Sequence, residues 1–399
     1  KAIAKDLGVK TVLVGRVLNR PEGLSIRVEL ADAEDGHHIW GEQFTKQVND
    51  LPGIQDSIAT GVAAAIGSAK GAPADLNPIR TSGEAYQLYL KGRFYADKWT
   101  PEDATRGIDY FDQALKVDPN FALAHVGKAY AYWGLSSQFM APAQAMPKVK
   151  AEAEAALKSD PDLSEAHTAL AIAMAVYDHD FQGAEREFKT AIQLNPGSAA
   201  AHEYYAYILL GRGRYTDCNT ELDASRKLDP LSSLVEFFSG WNEFWVNKNP
   251  KTALVHLQKA VDLQPDFWWP HVVMAQAFAS EGNYTSATQS LDKAQSAGGS
   301  TYVLGVRGYL AAKRGDRAEA QRLLKELLST QSGSAYLSPM HPAMIYAGLG
   351  DRADAMIWLQ KAYDSRDEVC LILEVDPTWD GMRDDPAFKA LIAKIGRGR

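Results

Sequence analysis

Five amphipathic stretches of this chain each end at an Asx-Pro or Gln-Pro step: Asp118-Pro119, Asp160-Pro161, Asn195-Pro196, Asp229-Pro230 and Gln264-Pro265. The prolines lie 42, 35, 34 and 35 residues apart, a period near 34 with one insertion of eight in the second unit. Proline cannot donate the next backbone hydrogen bond and drives the residue before it out of the α region, so it belongs just beyond a helix end. A second helix then opens with AHVGKAYA, AHTALAIA, AHEYYAYI, VEFFSGWN or PHVVMAQA. Small residues hold one fixed place in it (Ala129, Ala171, Ala206, Gly240, Ala275), which lets paired helices approach closely. Between helices the chain reads GRGRY, SEGNY, KRGDR and GLGDR. There glycine supplies a left-handed C′ residue, and Asn283, Asp316 or Asp351 can cap the next helix.

This grammar resembles the tetratricopeptide repeat (TPR), two antiparallel helices in about 34 residues. The resemblance implies a mainly α fold, a right-handed TPR α-solenoid of about eight helix pairs over residues 83–365, with residues 366–399 closing its end as a polar-faced cap. Residues 1–70 follow another rule. Thr11–Leu18 and Leu24–Leu30 alternate like strands around a turn at Asn19–Gly23, a third strand spans His37–Phe44, and a helix spans Leu51–Ile66. The stretch from IAKDLGVKTVLVGRV to DLPGIQDSIATGVAAAI resembles the second half of a TolB-amino-terminal-like domain, an α+β piece truncated at its start. Residues 71–82, GAPADLNPIRTS, read as a linker. Such domains stand beside TPR arrays in bacterial receptor kinases, CadC-like regulators and adenylate cyclases. The resemblance therefore implies a bacterial signalling parent, with any output domain before Lys1 and a periplasmic or membrane-associated setting favoured over the cytoplasm.

Function rests on the first helix of each unit, which in TPR proteins lines the concave groove. The repeat phase puts Tyr130, Trp133, Tyr204, Tyr207, Phe237, Phe238, Trp241, Phe244, Trp245 and Trp269 on that wall, with Val272 and Gln276. The helix from Phe237 to Trp245 is apolar over more than one face, so roughly half of these rings are expected to meet solvent or a partner. The Lys/Asn clamp that holds C-terminal carboxylates in some TPR domains is missing there. The expected partner is therefore a protein or peptide bound through an apolar or aromatic segment, with the chain acting as a scaffold or an assembly subunit.

The remaining features are assigned structural roles. His125, His167, His202 and His271 share one column, but neighbouring helices stand too far apart for ring nitrogens to share one zinc at about 2.0–2.1 Å. Asp178-His179-Asp180 reads as a helix cap and Asp32–Gly36 as a hairpin turn. Cys218 and Cys370 are expected as free buried thiols. No phosphate-binding, zinc-protease or nucleophile-elbow motif occurs, so neither catalysis nor a cofactor or metal is expected. A net charge of −8 argues against a nucleic-acid surface. No apolar run approaches the roughly 18 residues of a membrane span.

Overall fold

The Asx-Pro steps end helices by a mechanism visible at each of them. The computed structural model describes residues 9–20, 23–46, 51–66, 81–98, 100–136, 138–299, 301–330 and 336–396. In it the residue before each of the five prolines is a helix C-cap, with φ between −142° and −133° and ψ between 87° and 96°. Four of the five turn a side-chain oxygen onto the backbone N–H two residues on, at 3.1 Å for Asp118, 3.2 Å for Asp160, 3.1 Å for Asn195 and 3.0 Å for Asp229. That Asx turn is why short carboxylates and amides recur there. Gln264, one methylene longer, instead accepts a hydrogen bond from the Ser233 hydroxyl at 2.7 Å.

Among the described residues one helix, α1 (Leu51–Ala65), precedes eight helix pairs. These are α2 (Gly83–Ala96) with α3 (Pro101–Val117), α4 (Ala122–Leu135) with α5 (Pro142–Ser159), α6 (Ser164–Ala173) with α7 (Phe181–Leu194), and α8 (Ala199–Gly211) with α9 (Tyr215–Leu228). Next come α10 (Ser233–Trp245) with α11 (Pro250–Leu263), α12 (Trp268–Ser280) with α13 (Tyr284–Ser296), α14 (Thr301–Lys313) with α15 (Arg317–Thr330), and α16 (Met340–Leu349) with α17 (Arg352–Asp364). Asn283, Asp316 and Asp351 each accept the third backbone N–H of the helix they open, at 3.1, 3.1 and 3.2 Å. Gly315 before α15 has φ +92°, a conformation that side-chain-bearing residues avoid. The small-residue column works as its composition implies. A Cβ on Gly240 would sit 2.7 Å from Leu257, so α10 and α11 touch only because it is absent.

Three of the four column histidines form separate rungs, and His271 forms none. His125, His167 and His202 each place Nδ1 on a glutamate of the second helix of the pair, Glu152, Glu187 and Glu221, at 2.6, 2.6 and 2.5 Å. In the fifth pair the chemistry is exchanged: Glu236 occupies the column and meets His256 at 2.6 Å. Lys259 and Arg226 also reach Glu236, at 2.8 and 3.5 Å. Burial alone would raise this carboxyl, but the hydrogen bonds from His256 and Lys259 outweigh it and hold it at about 2. A carboxylate depressed in the fold lends its full stability above the ordinary value near 4.5 and loses it as pH falls toward 2. Glu236→Gln should therefore lower the unfolding free energy by about 2 kcal/mol at pH 7, with the gap closing in urea titrations near pH 2.5. A gap equally wide at both pH values would remove the carboxylate from the account.

The amino-terminal unit is an antiparallel sheet in the order β1 (Thr11–Arg20), β2 (Gly23–Asp32), β3 (His38–Lys46), with α1 beside it. Ile26, Val28, Phe44 and Ile54 form its core. β1 is an edge, and Leu13, Val14, Val17 and Leu18 lie exposed along it. The third strand opens one residue later than its alternation suggests, because His37 turns its N–H and its ring Nδ1 onto Asp35, each at 2.8 Å. Most of the 71–82 linker lies outside the described residues. Its last two residues serve the array: Ser82 caps α2, and the Thr81 hydroxyl donates to Asp118 at 2.6 Å.

Candidate partner-binding groove

The first helices of the pairs carry the aromatic residues picked out by the repeat phase, and the fold joins them into one ridge. Tyr130 and Trp133 on α4 reach Tyr204 on α8, with ring centroids 5.7 and 4.9 Å apart. Tyr207, one turn further along α8, lies parallel to Trp241 of α10 at 6.1 Å. Trp241 contacts Trp245 at 4.5 Å and Trp269 of α12 at 6.1 Å. Trp269 continues to Tyr302 of α14 at 4.8 Å. Phe237 and Phe238 fill the angle between α8 and α12, and Phe244 lies toward the far end of α10.

Half of these rings were expected at the surface, and the structure corrects that expectation. Phe237, Phe238, Trp241, Phe244 and Trp245 are only 1–6% exposed. Of the ten, Tyr130 and Trp269 alone are more than slightly accessible. The cause is the segment assigned to an end cap. After α17 the chain turns back along the first helices as two short 3₁₀ turns, Glu368–Ile372 and Pro377–Met382, before α18 (Pro386–Ile395). This strap buries Val369, Cys370, Leu371, Ile372, Leu373, Trp379 and Met382 against the ridge.

Polar contacts fix the register of the strap. The Trp133 indole N–H donates to Glu368 at 3.0 Å, the Arg366 guanidinium donates to His179 Nδ1 at 2.8 Å, and the Gln276 amide donates to Thr378 at 3.3 Å. Ser338 donates to Asp367 at 2.5 Å. Gly211 lets the strap pass: a Cβ there would stand 3.2 Å from both the carbonyl oxygen and the Cβ of Leu371. His179, with φ +58°, is therefore an anchor for the strap, while Asp180 beside it caps α7 through the Gly183 N–H at 2.8 Å. Burial and then the Arg366 charge push the His179 imidazole down to about 4, so it is a neutral acceptor at pH 7. Cys218 and Cys370 are both free and buried, as their spacing implies. Sequence reasoning missed the strap; the apolar run Val369–Leu373 signals a covered segment without saying what it covers.

Two adjoining cavities on this face bear on what it could bind. One of about 100 Å³ is walled by Trp133, Tyr204, Tyr207, Phe237, Phe238, Trp241 and Trp269, with Glu368, Val369 and Ile372 of the strap opposite. The other, about 400 Å³, adjoins it through Gly134 and Tyr204 and runs toward α2. Tyr89, Arg93, Asp97, Tyr130, Glu165, Asn195, Ser198 and Ala200 line it, and no strap residue does. Arg93 donates to the Tyr89 hydroxyl at 3.1 Å and pairs with Asp97 at 3.5 Å, so its charge is partly spoken for. Among the described residues the one cluster of His and carboxylate groups close enough to share an ion is Asp32, Asp35 and His37, far from both cavities in sequence. There Asp32 accepts the N–H groups of Glu34 and Asp35 as a turn, and no helix of the described residues is long and apolar enough to cross a membrane.

A tetratricopeptide repeat family model matches residues 174–217. Over 129 residues the chain is 24% identical to a candidate adenylate cyclase, number 3 of Rhizobium meliloti (strain 1021), which is 31% of this chain and 22% of that protein. Over 224 residues it is 21% identical to the transcriptional regulator HilA of Salmonella typhimurium, 55% of this chain and 39% of the regulator. The chain thus spans well under half the length of the curated relatives it matches. Among solved structures it resembles human IFIT1, in a dimer with m7Gppp-AAAA, with a TM-score of 0.51 and 16% identity over 77% of this chain and 76% of that one. The chain carries tetratricopeptide repeats, and its fold is a TPR-like helical solenoid preceded by a small three-stranded sheet.

Proposed function

We propose that this chain is a protein-interaction scaffold that holds an extended apolar or aromatic segment of a partner protein in the open stretch of the trough between α2 and α8. One observation carries the reading: the adjoining stretch of the same trough already holds a peptide, the strap, by burying apolar side chains with few polar bonds. The open stretch presents the same kind of wall, Tyr89, Leu123, Val126, Tyr130 and Tyr204, over about 400 Å³. Its polar groups, Asn195 and Ser198 among them, suit the backbone amides of a bound strand. Tyr130 and Tyr204 make the direct contacts in this reading. Trp133, Tyr207 and Trp269 stand at the junction with the strap, and Phe237, Phe238, Trp241, Phe244 and Trp245 support it from behind.

Ala200 is half-buried on the trough wall, so Ala200→Trp fills the open stretch without touching the strap. Peptides selected from a displayed random library on the full chain should be rich in apolar and aromatic residues, and Ala200→Trp should weaken them about tenfold or more. Selected peptides that bind the filled variant as tightly as the parent would refute the site. Trp241 and Trp245 are unsuited to this experiment, because truncating them removes core.

A second reading draws on the two curated relatives. A chain matching parts of a candidate cyclase and of a transcriptional regulator suits the sensory or regulatory portion of a larger bacterial signalling protein, with the TolB-amino-terminal-like piece joining it to an output domain. The reading frame preceding Lys1 tests it: a catalytic or DNA-binding domain supports the reading, and a transmembrane segment between the two would place the array outside the cytoplasm.

A further inference from the structure

The smaller cavity differs in chemistry from the trough beside it. Eight of its fourteen lining residues are aromatic, and among the described residues no Lys or Arg lies over any of those rings, although such cations do stack on Tyr95, Tyr132, Phe181 and Trp358 elsewhere. Opposite the rings stands one carboxyl group, Glu368, which accepts a hydrogen bond from the Trp133 indole at 3.0 Å. Trp241, 4% exposed, presents its ring to the same space. The cavity, about 100 Å³, is open to solvent on one side, so it can take the head of a small guest without enclosing all of it. An extended peptide would not fit.

Aromatic faces attract a cation through their quadrupoles, most strongly where water is excluded, and a carboxylate on the facing side adds a full opposite charge. We propose that the cavity between the strap and the aromatic wall binds a compact organic cation, an alkylammonium head, with the rings and Glu368 meeting the charge.

Such binding is linked to a proton. Burial pushes the Glu368 carboxyl up to about 8; the Trp133 bond opposes this and the neighbouring Asp367 charge adds to it. Tyr207, which faces it from α8, is itself pushed up by burial first and by Glu368 next, so it stays neutral. Arg366 is turned to His179. A bound cation favours the ionised carboxylate, so binding at pH 7 releases a proton and affinity should climb as pH rises toward 8, then level.

Choline and 3,3-dimethylbutan-1-ol differ only in a quaternary nitrogen against a quaternary carbon, which isolates the charge. Calorimetry or tryptophan fluorescence on the full chain should show choline bound about tenfold or more tighter than the alcohol. That preference should grow from pH 6 to pH 8. Glu368→Gln, with its helicity checked by circular dichroism, should erase both the preference and its pH dependence while still admitting the alcohol. Ala200→Trp lies outside this cavity and should leave choline binding intact, so failure of the peptide site and failure of this one are separable. Equal affinity for the two probes, no binding of choline at millimolar concentration, or an unchanged preference in Glu368→Gln would each overturn the proposal.

Discussion

Trp379→Ala should cost the fold about 3–5 kcal/mol, the range for emptying a fully buried large aromatic site. Trp379 is 0% exposed and stacks near Phe388 of α18, with centroids 6.4 Å apart. Neighbouring strap residues reach the array directly: Thr378 meets Gln276 of α12, and Glu368 meets Trp133 of α4. Repeat arrays ordinarily have only neighbour-to-neighbour contacts and can unfold piecemeal. Here one segment touches α4, α8, α12 and α16, so the units between them should melt together. Urea titrations followed by far-ultraviolet circular dichroism and by tryptophan fluorescence should shift by the same amount in the variant. A loss below about 1 kcal/mol, or a fluorescence shift with the helical transition unmoved, would show that the strap only rests on the array.

Phe111→Ala should cost a similar amount, about 3–5 kcal/mol, but in one place. The Phe111 ring on α3 is wholly buried between two glycines: a Cβ on Gly92 of α2 would lie 2.4 Å from it, and one on Gly127 of α4 would lie 2.5 Å away. Without the ring, nothing occupies the slot that those missing side chains create. The strap's polar anchor nearest the amino end is Trp133 of α4, past the first pair. Amide hydrogen exchange should therefore quicken over residues 83–117 and stay near the parent rate from α8 onward. Acceleration spread over the whole array would contradict this division, as would none at all.

Much of the architecture could be read from residues because it is written in local backbone chemistry. Proline ends a helix where it stands, an Asx side chain closes the turn around it, and an Asn or Asp directly after a helix-terminal glycine caps the next helix. Those interactions span a few residues, so eight pairs and their inner faces emerge from spacing alone. The aromatic ridge was legible for the same reason: the period fixes which residues of α4, α8, α10 and α12 share a face. Its covering was not. A helix apolar on more than one side, as from Phe237 to Trp245, states that two sides are covered without saying by what. The apolar run Val369–Leu373 fits an end cap as well as it fits a strap, and Trp133 and Glu368, which settle the matter, are 235 residues apart. The histidine column is legible as a set of separate side chains, yet its partners are not, because they lie on the second helix at a spacing the insertion disrupts: 27 residues from His125 to Glu152, but 20 and 19 in the next two units.

The strap also sets a schedule for biogenesis. Its residues come after every repeat in the chain, so a ribosome delivers them later than all the helices they cover. During translation the nascent array must carry Trp241, Trp245 and Tyr207 as an uncovered seam, with the surface most prone to sticking present before its seal has been made. Folding of the middle units can then finish only after the strap itself has been made, and a chaperone that shields aromatic surface would have its longest dwell time in that interval.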